Sequence, residues 1–94
     1  MPKFKQVREQ GLRFVFKYDT DAPDLLHIFA RHTTSIDDAL DVFFDPSATQ
    51  RYNAEHRRFE RYNRTHGIFW FWLEEGAAVM VITCFREEPH EPAP

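Results

Sequence analysis

Five arginines lie between Arg51 and Arg64, with Glu55 and Glu60 the acids among them. Arg57, Arg58, Arg61, Arg64 and then His66 are interleaved with Phe59 and Tyr62. Guanidinium groups grip phosphate oxygens through paired hydrogen bonds, and exposed rings beside them stack unpaired bases. The pattern makes Arg57, Arg61, Tyr62, Arg64 and His66 candidate RNA-binding residues, and it favours single strands over duplex readout. On a strand, Arg58, Glu60, Tyr62 and Arg64 point one way and Arg57, Phe59 and Arg61 the other. A competing reading has Glu60 and Glu55 neutralising the arginines in a surface network.

His32 follows Arg31 at the end of a short helical pattern. A cation is favoured at the negative C-terminal end of a helix. The same histidine could instead work as a general acid or base near neutral pH. His27 and His32 are five residues apart, a spacing that does not share a helix face well, and no cysteine or obvious carboxylate partner completes a metal set around them. Phosphate-cradling glycine loops, nucleophile elbows and paired-cysteine motifs are absent. No cofactor and no metal is therefore expected. Cys84, the one cysteine, sits in an apolar run and reads as a packed thiol.

The elements that position these residues follow from local patterns. Leu12 to Tyr18 alternates Leu12, Phe14, Phe16 and Tyr18 against Arg13, Val15 and Lys17, a half-buried strand. Asp19 to Asp24 is turn chemistry. Leu25, Ile28, Phe29 and His32 then fall at helical spacing. Thr34 or Ser35 caps a second helix with Asp37 and Asp38 in its first turn, and Asp45-Pro46 closes it. Residues 47–66 fit either one helix or two strands, and strands are preferred for 57–64. Ile68–Leu73 and Ala77–Phe85 form an aromatic hairpin that is apolar on both faces, as in a sheet covered on both sides. Two short helices can cover one face. The other calls for a partner, a second copy of the chain or the N-terminal segment.

Ninety-four residues make room for one domain, with an ordered core at about 12–87 and tails at 1–11 and 88–94. Ten Phe, three Tyr and two Trp supply its core, since each buried ring removes about 150–250 Å² from water. The net charge of −3 conceals an asymmetry: seven Asp against one Arg from Asp19 to Asp45, and five Arg against two Glu from Arg51 to His66. The start, Met-Pro-Lys-Phe-Lys-Gln, does not read as a secretory signal, and no apolar run approaches the roughly 20 residues a membrane helix needs. A cytoplasmic protein without membrane contact is expected.

The span Ala30-Arg-His-Thr-Thr-Ser-Ile-Asp-Asp-Ala-Leu-Asp-Val-Phe-Phe-Asp-Pro46, followed by Arg58-Phe59 and two apolar strands ending at Arg86, resembles the BrnT family of toxins. The resemblance covers about residues 24–87. It implies an α+β, RelE/BrnT-like fold of two short helices on a small antiparallel sheet. It further implies metal-independent RNA cleavage, with RNA and a cognate antitoxin protein as partners. His32, Arg58 and Arg86 occupy matching positions and are the candidate catalytic residues, with His32 the proton carrier and Arg58, Arg61 and Arg86 stabilising the crowded phosphate. Where the family continues into an Ile-Ser-Ala-Arg strand and a further helix, this chain reads Glu87-Glu-Pro-His-Glu-Pro92. That departure supports the alternative of a non-catalytic RNA- or protein-binding domain of the same fold. A homodimer joined through the aromatic hairpin is a third reading.

Overall fold

The structure, a computed structural model, describes residues 4–86. Its elements are β1 (Phe4–Glu9), β2 (Leu12–Lys17), α1 (His27–His32), α2 (Ile36–Phe44), β3 (Thr49–Asn53), β4 (Arg58–Tyr62), β5 (His66–Glu74) and β6 (Ala78–Arg86). The α+β class is as expected, and residues 49–62 form two strands rather than a helix. The strands make one sheet in the order β1-β2-β6-β5-β4-β3.

That sheet is mixed, which corrects the expected antiparallel one. β2 runs parallel to β6, with Phe14 beside Val79 and Phe16 beside Val81. The chain path explains it. The helices carry the chain to the far edge of the sheet, and the meander β3-β4-β5-β6 returns to dock on β2 in the same direction.

A second correction concerns residues 1–11, read as a tail. Phe4–Glu9 pairs along its whole length with β2. Gln10 and Gly11 turn the hairpin at φ 49° and 81°, the left-handed geometry that matches strand twist in two-residue hairpins. Its polar composition is what an edge strand carries to discourage further pairing, and only Val7 is half-buried. The other expected tail, 88–94, lies outside the described residues.

Helix α2 is started by a reciprocal cap. Ser35 Oγ accepts from the Asp38 amide, and the Asp38 carboxylate accepts from the Ser35 amide. Helix α1 is shorter than its spacing suggests, because Leu26 is held extended by a bridge to Tyr18. Leu25 therefore stays outside the helix, and only Ile28 of α1 is buried. Thr34, also buried, places its hydroxyl 3.0 Å from the Ile28 carbonyl and 2.8 Å from that of Cys84, tying the interhelical loop to β6.

Both helices pack on one face of the sheet. Phe14, Phe16, Ile28, Val42, Trp70 and Val81 close the core there. Phe43 meets Phe14 and Trp70 edge-on, each at 4.9 Å between ring centres, and Phe59 stacks on Trp70 at 4.6 Å. Cys84 belongs to this core, and burial pushes its thiol up to about 12, far from reactive.

Gly67 lies on β5 where two rings close over the strand. A methyl group there would stand 2.6 Å from the Phe85 ring and 2.9 Å from that of Tyr62. Gly67→Ala is expected to cost about 1–3 kcal/mol, as overpacking does. An unchanged urea midpoint would show that the rings yield freely.

Candidate functional site on the open sheet face

The helices leave the opposite sheet face uncovered by either of them, and strand register assigns its side chains. Val15 lies beside Met80. Met80, Thr83 and Phe85 lie across from Phe71, Phe69 and Gly67. Glu60 and Tyr62 lie across from Phe69 and Gly67, and Arg51 across from Glu60. This apolar stripe exists because β5 and β6 carry large side chains on both faces.

Three rings form its centre. Phe69 and Phe85 meet edge-to-face at 5.1 Å, and Tyr62 approaches them at 6.2 and 6.1 Å. All three are half-buried, so each keeps some surface toward solvent. The Arg58 guanidinium lies 4.0 Å from the centre of the Phe69 ring, a cation over the negative π face.

Beside the rings is a buried carboxylate. Glu60 is 2% exposed, and a charge so placed requires partners. Arg51 Nε donates to Oε1 at 2.8 Å, while Arg58 Nε and Asn53 Nδ2 donate to Oε2 at 2.9 and 3.1 Å. Burial pushes the Glu60 carboxyl up, yet these hydrogen bonds and the Arg51 charge outweigh it and bring it down to about 2. The neutralising role considered for Glu60 is thus present: it offsets part of the charge of Arg51 and Arg58 and fixes their position.

Cations flank the stripe on both sides. Arg8, Arg13 and Lys17 stand on β1 and β2 by register, with Arg13 donating to Gln6 at 3.2 Å. Arg51 and Arg58 stand on β3 and β4. Glu60 and Glu74 are the carboxylates of this face among the described strand residues. The β1–β2 cations were not among the candidates read from the sequence. Their signal was the outward half of the β2 alternation, Arg13, Val15 and Lys17.

The other candidates scatter. Arg61 points to the helix side, where Nε donates to the Val42 carbonyl at 3.1 Å and Nη2 to the Asp45 carbonyl. It fastens the C-terminal end of α2, a favoured place for a cation. Arg57 is exposed at φ 53° in the β3–β4 turn, and Arg64 is exposed in the loop before β5. His66 pairs with Arg86 across β5 and β6. Its Nε2 lies 3.9 Å from Asp38 on the helix side, and hydrogen bonding to Ser35 holds the Asp38 carboxyl below its usual range, assisted by His66 and Arg86.

The three catalytic candidates do not converge. Arg86 shares the helix side with Cys84 and Ile68, whereas Arg58 shares the open side with Phe69. His32 is exposed at the end of α1, its ring 6.0 Å from that of Phe85, at the rim of the aromatic stripe. The neighbouring Arg31 is taken by Asp19 and Asp21.

No group of three or more His, Cys, Asp or Glu capable of holding a metal ion occurs among the described residues, and no described helix is long and apolar enough to cross a membrane. No protein-family model, curated protein or solved structure matches the chain.

Proposed function

We propose that this chain is a non-catalytic domain that binds single-stranded RNA across its open sheet face. The observation that carries the reading is the cluster of Tyr62, Phe69 and Phe85 with Arg58 over Phe69, bracketed by cations on both sides. Rings accept unpaired bases on their faces, and flanking cations follow the backbone. A duplex hides the base faces that such a surface needs. The separation of Arg58 from Arg86 by the sheet, and the use of Arg61 on helix carbonyls, favour binding over cutting.

Titration of a fluorescent oligouridine followed by anisotropy tests it. Roughly three phosphates in contact would make affinity fall about twentyfold for a fourfold rise in salt, with an equal-length duplex bound more weakly. Absence of binding, or indifference to strandedness, would refute the proposal.

A second reading is favoured by the place of His32 beside Phe85. In it the domain is a toxin-like, metal-independent endoribonuclease, with His32 carrying the proton and Arg58 holding the phosphate. That reading requires the same oligonucleotide to be cut without added metal, and cutting to be lost in His32→Gln. Intact RNA after prolonged incubation eliminates it and leaves the binding reading in place.

A further inference from the structure

The seven aspartates from Asp19 to Asp45 divide into two groups. Asp19 and Asp21 hold Arg31, Asp38 caps α2 with Ser35, and Asp45 accepts from Ser47 and Asn63. The carboxylates of Asp24, Asp37 and Asp41 make no hydrogen bond or ion pair among the described residues. All three line one continuous surface on the helix side. Asp24 and Asp37 border a groove of about 360 Å³ walled by Leu25, Leu26, Phe29 and Ile36. Asp37 and Asp41, with Glu9, border a second of about 550 Å³ that includes Leu40 and Phe44. Asp37 stands on both, so the two adjoin, and no lysine or arginine among the described residues lines either.

The apolar part is equally uneven. Leu25 is 41% exposed and Phe29 48%, because α1 is short and turns only Ile28 into the core. Large side chains left half in water beside unpaired carboxylates match a ligand that is apolar on one side and cationic on the other.

We infer that the helix-side surface running from α1 past α2 to the β1–β2 turn docks a basic amphipathic segment of a partner protein. Apolar side chains of the segment fill the space beside Phe29, Leu25 and Ile36, and its lysines or arginines meet Asp24, Asp37 and Asp41, in the manner of a helix laid in a groove. This surface lies across the sheet from the proposed RNA face and does not depend on it. Nucleic acid is repelled here by the same carboxylates that attract the segment.

The probe is a fluorescein-labelled helical peptide of about 14 leucine and lysine residues, titrated into the intact protein by anisotropy. Phe29→Ser and, separately, Leu25→Ser are expected to weaken binding about tenfold, the scale of a lost anchor side chain. Both residues are substantially exposed, and circular dichroism verifies that each variant is folded. Asp24→Asn with Asp37→Asn is expected to weaken binding and reduce its salt dependence. Glu74→Gln with Glu75→Gln, at the β5–β6 turn, leaves affinity unchanged. The inference is overturned if a leucine–glutamate peptide binds as well, if the Phe29 and Leu25 variants bind like the parent, or if the glutamine variant weakens as much as the asparagine one. It is also overturned if light scattering shows a dimer that Phe29→Ser dissolves, since a second copy is then the occupant.

Discussion

Replacing Phe69 by leucine is expected to weaken binding of single-stranded RNA by about ten- to a hundredfold while the domain stays folded. Phe69 is the ring on which the surface converges: Tyr62 and Phe85 pack against its edges, and Arg58 lies over it. A base stacked on a protein ring contributes about 1–3 kcal/mol, and each 1.4 kcal/mol is about a factor of ten in affinity. Leucine retains most of the apolar contact with Phe85 and removes the flat face. It also leaves the Arg58 guanidinium without its ring, so part of the loss comes from a less fixed cation. The readout is the oligouridine titration beside a urea unfolding curve. Equal affinity for parent and variant, with both folded, would remove stacking from the account.

Glu60→Gln is expected to act on stability and binding in opposite directions. At neutral pH the ionised carboxylate receives Arg51, Asn53 and Arg58. Removing its charge costs about 2 kcal/mol, less than the roughly 3–5 kcal/mol of a fully enclosed pair, because Arg51 lies largely in solvent. RNA affinity rises, since Arg51 and Arg58 are no longer offset by an adjacent negative charge. The pH dependence has a definite sign. The folded carboxyl titrates at about 2, against an ordinary value of 4.5. A depressed folded value means the contribution is complete above about 4.5 and is lost as pH falls from there toward 2. Asp19, Asp38 and Asp45 are lowered too, so the Glu60→Gln variant keeps some acid sensitivity of its own. Urea midpoints of parent and Glu60→Gln should therefore differ at pH 7 and approach each other near pH 2. A constant difference across that range would show that the hydrogen bonds, rather than the ionised state, set the effect.

How much of this was legible in the sequence depends on the range of the interactions involved. The β5–β6 hairpin, the Ser35 cap and the alternation of β2 are local, and each is recognisable from a few adjacent residues. β1 was misread because an edge strand and a polar tail have the same composition, and its only half-buried residue is Val7. The parallel pairing of β2 with β6 joins Phe14 to Val79, a contact that depends on which strand docks last and leaves no local mark. At the site, alternation already put Arg58 and Arg61 on opposite faces. It did not reveal that Arg61 fastens α2 through the Val42 and Asp45 carbonyls, since those partners belong to another element. Glu60 was readable as a neutralising acid among arginines. Its burial was not, because that requires β3 and β5 on either side of β4.

The open face of β5 and β6 was expected to need a covering, and RNA is the covering proposed. Heteronuclear NMR during titration with oligouridine tests this most directly, because it locates the contact as well as detecting it. Shifts are expected to concentrate at Tyr62, Phe69, Phe85, Val15 and Met80, with Arg58 Nε among them, while α1 and α2 stay unchanged. Shifts confined to the helices, or none at saturating RNA, would contradict it.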